Sequence, residues 1–311
     1  MNDMNKQWLL VLMLAAGLNA CIKSKINDTS AAAKSTASNS DFELPAISAG
    51  IRNQYWNQGK AELNTYDVTQ ERYGEIREAE AMILFVSEDL SAQKQVKLDD
   101  PMAAGADRVP VLKMNAVRRF HTGIYDYSLM QSVFTPMDGS ATLKTSTTVQ
   151  DWCGQVFAQM NLEKDAYRYR SFSYFESEGD QDIRLPKALL EDALMLRLRL
   201  QPDQLPMGEV QVIPSTLFAR LRHKPLEAQP AELSIQKKTN ESELVLQYKG
   251  MNRRLSIRFE TSYPHRILGW EESMDDKLSS KGVLKASRMS AYWSEHDNKH
   301  EPLRDSLKLR F

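Results

Sequence analysis

The chain has 311 residues, with 40 basic against 41 acidic side chains and a net charge of −1. At 42% hydrophobic and 26% charged, it has the composition of a globular protein. No block of like charge stands out, so neither a nucleic-acid partner nor a polybasic membrane patch is indicated.

The first segment reads as an address. Lys6-Gln7 precede an apolar run from Trp8 to Gly17, and Leu18-Asn19-Ala20-Cys21 follow it. An apolar run of this length, ending in small residues, has the form of a secretory signal. It falls short of the roughly 20 residues that span a bilayer. The Leu-x-Ala-Cys ending resembles the lipobox of bacterial lipoproteins. That resemblance implies a signal peptide over 1–20, acylation at Cys21 and attachment to a membrane through the lipid. From 22 to 46 the chain is mostly Ser, Ala, Thr, Lys and Asn. Such a stretch buries too little apolar surface to offset the entropy of ordering. Residues 21–46 are therefore expected to be a lipidated cysteine and a disordered tether, with a root-mean-square reach of about 25–30 Å. Ile22-Lys23-Ser24-Lys25 carries no acid after the cysteine. In the lipoproteins it resembles, this implies an outer-membrane anchor with the domain facing the periplasm.

Residues 47–311 should form the folded part, with a soft boundary near 202–206. Strand-like runs fall at 61–73, around 82–86, then at 109–117, 122–135 and 141–149. Tyr73-Gly74-Glu75 supplies a turn, and 99–107 is a loop by its Asp, Pro and Gly content. Residues 166–175 alternate aromatics with arginine, and a phase slip at Ser171 suggests a bulge. Pro186 suits a first helical position, and Leu190, Ala193, Leu194 and Leu198 share a face, so a helix is expected over 187–200, ended by Pro202. Trp152, Val156 and Met160 leave a second short helix around 150–160 open. Further strand-like runs lie near 209–222, 232–238, 243–249, 254–262, 266–273 and 283–294. Leu255, Ile257 and Phe259 alternate with Ser256, Arg258 and Glu260, as a half-buried antiparallel strand requires. The fold class that follows is mainly β (α+β): a large curved antiparallel sheet or partly closed half-barrel with one main helix.

From the Tyr73-Gly74-Glu75 turn and Lys94-Gln95-Val96-Lys97-Leu98 through Trp152-Cys153-Gly154, the chain resembles an uncharacterised family of bacterial envelope lipoproteins. Its members sometimes carry the label "septum formation inhibitor Maf". True Maf pyrophosphatases have Ser-x-Ser-x-x-Arg, whereas here Ser38 and Ser171 lead to Glu43 and Glu176. The label therefore implies no pyrophosphatase activity. In architecture the chain also looks like the curved half-barrels of periplasmic lipoprotein carriers.

Phosphate-binding glycine loops, nucleophile elbows and His-Glu-x-x-His pairs are absent from the sequence, so no cofactor, metal or catalytic residue is expected. His296 and His300 are four apart but in a polar stretch. Glu271, Glu272, Asp275 and Asp276 read as a solvated hairpin turn. Only two cysteines occur, Cys21 and Cys153. With Cys21 acylated, no internal disulfide can form. Cys153 has Trp152, Val156 and Phe157 as neighbours and reads as a small buried residue. Its alternative is a thiol nucleophile with His121, His223 or His265 as base. Tyr125, Tyr127, Tyr167, Tyr169, Phe172, Tyr174 and Trp293 are the candidates to line an apolar cavity on the concave face. The expected activity is non-enzymatic: binding a hydrophobic ligand or acylated envelope partner in that concavity. The alternatives are an interaction or structural module with a filled core, and a thiol enzyme using Cys153. The lipobox is checked by metabolic labelling with a fatty acid, which should mark the wild type and leave Cys21→Ser unlabelled.

Overall fold

The computed structural model describes residues 52–310 together with Gly50. The signal, Cys21 and the whole tether over 21–46 lie outside the described residues. Among the described residues no helix is long and apolar enough to cross a membrane.

Tight hairpins build the sheet. Tyr73 and Gly74, both at positive φ (58° and 77°), turn β1 (Ala61–Arg72) into β2 (Glu75–Ser91). Positive φ at both central residues matches the right-handed twist of the flanking strands. The meander continues through β3 (Arg108–Thr122), β4 (Tyr125–Pro136), β5 (Lys144–Asp151), β6 (Gly154–Glu163), β7 (Ala166–Ser173) and β8 (Gln181–Pro186). A second meander follows: β9 (Leu189–Leu190), β10 (Gly208–Ile213), β11 (Gln229–Gln236), β12 (Glu241–Tyr248), β13 (Arg253–Glu260), β14 (Ile267–Met274) and β15 (Lys277–Ser290). β1 pairs with β15, which joins the two meanders into one 15-stranded sheet with β8 and β9 at its edges. The sheet is curved, unclosed and antiparallel except for the β9–β10 pair. Strands on both sides of 202–206 belong to this one sheet.

The two edges are close in sequence. Only Lys187 and Ala188 separate β8 from β9. Three Cα–Cα steps of 3.8 Å hold Pro186 and Leu189 within about 11 Å of each other, roughly two strand spacings. The sheet therefore rolls until its edges are neighbours at that point, without a ladder between them.

The chain then fills the hollow it has made. After β9 come a 3₁₀ turn (Glu191–Ala193) and α1 (Leu194–Leu200), and α2 (Thr216–Arg222) follows β10. α1 is shorter than the expected 187–200 helix, and Pro186 ends an edge strand instead of starting a helix. A proline at a strand terminus gives up no ladder hydrogen bond. α1 also has no solvent face, since Leu194, Leu196, Leu198, Leu200, Arg197 and Arg199 are all buried. Residues 216–222, expected to continue a strand, are helical because Ser215 Oγ caps the amides of Leu217 and Phe218. Residues 150–160 form the β5–β6 hairpin, not a helix. Register through β6 and β7 is unbroken at Ser171, so there is no bulge.

Four charged side chains fix this inner segment to different walls. Arg199 forms a two-pronged ion pair with Glu62 of β1 (Nη1–Oε1 2.7 Å) and lies over the rings of Trp56 and Phe85. Glu191 is held by Arg253 of β13 (Nη2–Oε1 2.6 Å) and by the Tyr248 hydroxyl. Asp192 accepts from Gln131 of β4 and from Thr216. Arg197 donates to the carbonyls of Gly139 and Ser140, and burial pushes its pKa down to about 10.

Burial opposes ionisation of Glu62, but the charge and hydrogen bonds of Arg199, with those of Tyr55 and Asn64, hold its carboxyl below the ordinary value. Removing one partner of a buried pair strands the other charge, so Arg199→Ala or Glu62→Gln should lose about 3–5 kcal/mol in denaturant unfolding. A depressed folded pKa gives stability that is complete above the unfolded value, roughly 4.3 for Glu. That contribution is lost as pH falls from there through the folded value. The wild type should show this acid limb, and Glu62→Gln should lack the share due to this group.

Candidate functional site

Strand direction divides the sheet into two rims. The chain enters β1 at one rim, and the loops 92–107, 137–143 and 261–266 lie there as well. The turns at 73–74, 123–124, 152–153 and 275–276 lie at the opposite rim, as does the 174–180 loop. Each of the first three turns, and the loop, presents one large apolar side chain to solvent. These are Tyr73 (59% exposed), Ile124 (86%), Trp152 (69%) and Tyr174 (68%). Their tips follow one another along the sheet. Tyr73 and Tyr127 share a hydroxyl hydrogen bond of 2.7 Å, and the Tyr125 ring lies 6.4 Å from that of Trp152. Tyr174 covers Gly154, where a Cβ would fall 2.6 Å from the ring. Acids surround the tips: Asp126, Glu176 and Asp180 are exposed and Asp151 half-exposed.

The seven expected lining residues do not converge on one cavity. Tyr127 and Tyr167 are core: Arg72 donates to the Tyr127 hydroxyl, and Tyr167 donates to the Thr142 carbonyl. Tyr125 is half-buried at the rim. Phe172 falls on the opposite face of β7 from Tyr167 and Tyr169, because the strand keeps its period of two. Phe172, Tyr174 and Trp293 are exposed. Tyr169 alone of the seven lines a cavity beside α2.

Two cavities flank α2 at the turn rim. One, of about 210 Å³, lies between α2, the 174–180 loop and β5–β8, and includes Tyr169, Glu178, Arg220 and His223. His223 Nδ1 and Arg220 Nη1 both contact Glu178 Oε1, at 2.7 and 3.0 Å. The other, of about 110 Å³, lies between α2, the Glu191–Asp192 turn and strands β3, β13 and β14. Charged groups missed by the sequence reading, Arg118, Asp192 and Arg253, line it. A signal for Arg118 was present, since it shares a strand face with Met114 and Phe120. The expected large apolar cavity in the concavity is thus replaced by the chain's own residues 187–226. Wider hollows, of about 670 and 470 Å³, lie at the rims outside this filled interior.

Cys153 is exposed, not buried. The Asp151 carboxylate accepts from the amides of Cys153 (2.6 Å) and Gly154 (3.3 Å), which makes the segment an Asx turn at a hairpin tip. The Asp151 charge raises the thiol pKa, the opposite of an activated nucleophile. Among the three histidines considered as its base, His223 contacts Glu178, His265 contacts the Glu260 carbonyl, and His121 contacts Asp126. Asp275 and Asp276 form the β14–β15 turn at positive φ, while Glu272 points inward to Arg253. His300 Nδ1 accepts from the Asp297 amide in the capping box of a 3₁₀ turn. Among the described residues no three His, Cys, Asp or Glu side chains are placed to share a metal.

The sequence matches no protein-family model, and neither a curated protein nor a solved structure matches it.

The Cys153 environment has a direct check. A thiol reagent at pH 7.5 should label native protein at a rate within a few-fold of denatured protein, and Asp151→Asn should speed native labelling by lowering the thiol pKa. Slow native labelling would contradict the exposed tip.

Proposed function

We propose that the protein is a non-enzymatic, lipid-anchored module of the bacterial envelope that works by docking another protein on its turn rim. The observation that carries this reading is the filled concavity: residues 187–226 and their four charged ties take the space that an acyl chain would need. The binding surface then has to lie outside the shell. The row Tyr73, Ile124, Trp152 and Tyr174 supports its place, since an apolar centre ringed by charge is the anatomy of a protein interface. The acids around the tips disfavour an anionic bilayer as the occupant. An anchor at Cys21 would hold the domain through a long flexible tether, which leaves the tips free to meet a partner. On this reading the anchor is the outer membrane and the tips project into the periplasm.

Site-specific photo-crosslinking in cells tests it. A crosslinker at Ile124 or Trp152 should give discrete protein adducts, and one at Lys238 on the entry rim should not. Ile124→Ser with Trp152→Ser should abolish the adduct formed from Tyr174 without lowering thermal stability. Adducts with phospholipid alone, or an acylated ligand co-purifying in native mass spectrometry, would overturn the reading in favour of ligand carriage.

A further inference from the structure

The 110 Å³ cavity beneath α2 contains an arginine that the fold does not neutralise. Arg118 points inward from β3 and lines the cavity. Its Nη1 donates to Gln70 Oε1 (2.6 Å) and Ser280 Oγ (3.3 Å), both neutral acceptors. Its Nε is buried without a hydrogen-bond partner. Among the described residues no carboxylate lies within ion-pair distance of it. Arg118 is half-buried, and desolvation pushes its pKa down to about 10 against the more distant charge of Glu272.

The other arginines of the cavity are already paired. Arg253 is held by Glu191 and Glu272, and Arg222 by Glu71. Asp192 is satisfied by Gln131 and by Thr216, and burial raises its pKa. Arg118 alone of the three has no carboxylate of its own, and desolvating such a guanidinium is costly unless something pairs with it.

The cation also has a built platform. Its guanidinium lies 5.3 Å from the Trp270 ring centroid. The indole lies flat on Gly282, where a Cβ would fall 2.3 Å from the ring, and donates to Ser280 Oγ at 3.1 Å. Around this stack the walls are apolar: Met114, Met195, Leu217, Leu255 and Ile257. Among the charged groups that share this lining, Arg118 is the arginine without a carboxylate partner, and it stands beside the apolar wall as an orienting group would.

We propose that this cavity binds a small organic monocarboxylate, its carboxylate on Arg118 and its short apolar tail among Met114, Met195, Leu255 and Ile257. Charge decides against a phosphate-like dianion, because Glu191, Glu272 and Asp192 line the same space and only one cation is unmatched. Size decides against a long acyl chain, since 110 Å³ is close to the volume of a handful of methylenes. The site goes beyond the docking function, which uses the outside of the rim.

Hexanoate is the probe, with hexanol and inorganic phosphate as comparisons, on the mature full-length protein. In ¹⁵N–¹H spectra the Trp270 indole resonance, assigned through Trp270→Phe, should move saturably with hexanoate. Hexanol and phosphate should each bind at least tenfold more weakly. Arg118→Met should lose at least tenfold in hexanoate affinity while its melting temperature stays within a few degrees of wild type, because no salt bridge is removed. If that variant does not fold, the wild-type titration still decides. An unmoved Trp270 resonance, equal response to hexanol, preference for phosphate, or undiminished binding by folded Arg118→Met would each overturn the proposal.

Discussion

Two arginines on one buried helix are the constraint around which this fold is arranged. A helix enclosed on every side is ordinarily all apolar. α1 instead carries Arg197 and Arg199 into the centre of the rolled sheet. Each guanidinium must then find acceptors in the wall that it faces. Arg199 finds Glu62, itself buried on β1 where the two meanders meet, and the aromatic rings of Trp56 and Phe85 close around the pair. Glu191 and Asp192, one turn earlier, make corresponding demands on β13 and β4. Such pairs add little net stability over apolar packing, because desolvation offsets their attraction. What they supply is position: the inner segment has one register that satisfies all four groups.

The covalent route of the chain reinforces this. A 15-stranded sheet presents two edges, and open edges invite pairing with other chains. Here the edges are β8 and the two-residue β9, brought together by Lys187 and Ala188. The same link that carries the chain from one edge to the other delivers it into the interior. Closure and filling are therefore one event in the topology. At the rims, hairpin tips are free to carry side chains that the core does not require.

Much of the sheet was legible in the sequence. Leu255, Ile257 and Phe259 alternate with polar residues, and all three are buried on β13. Tyr73-Gly74 marks its turn through the glycine, which takes positive φ at no steric cost. What was not legible depended on distant partners. The run Leu194 to Leu200 reads as a surface helix with two arginines to spare, and only the walls reveal that Arg199 has Glu62, 137 positions away. Cys153 was read from its apolar neighbours, although Asp151 and Gly154 spell a tight turn that places it at a tip. Phe172 and Tyr174 were grouped with Tyr169 on the expectation of a bulge at Ser171, and the unbroken register turns Phe172 to the other face. Ser215 ahead of Thr216-Leu217-Phe218 was a usable helix cap that the strand-like run obscured.

The central claim is that residues 187–226 are part of the core and not a removable cover. Native-state hydrogen exchange measures this directly. The amides of 196–200 should exchange only through global unfolding, with the same free energy and denaturant dependence as those of β1 and β13. Exchange of 194–222 through a separate opening, several kcal/mol below the global value, would show a segment that leaves the concavity and would contradict the filled-shell account.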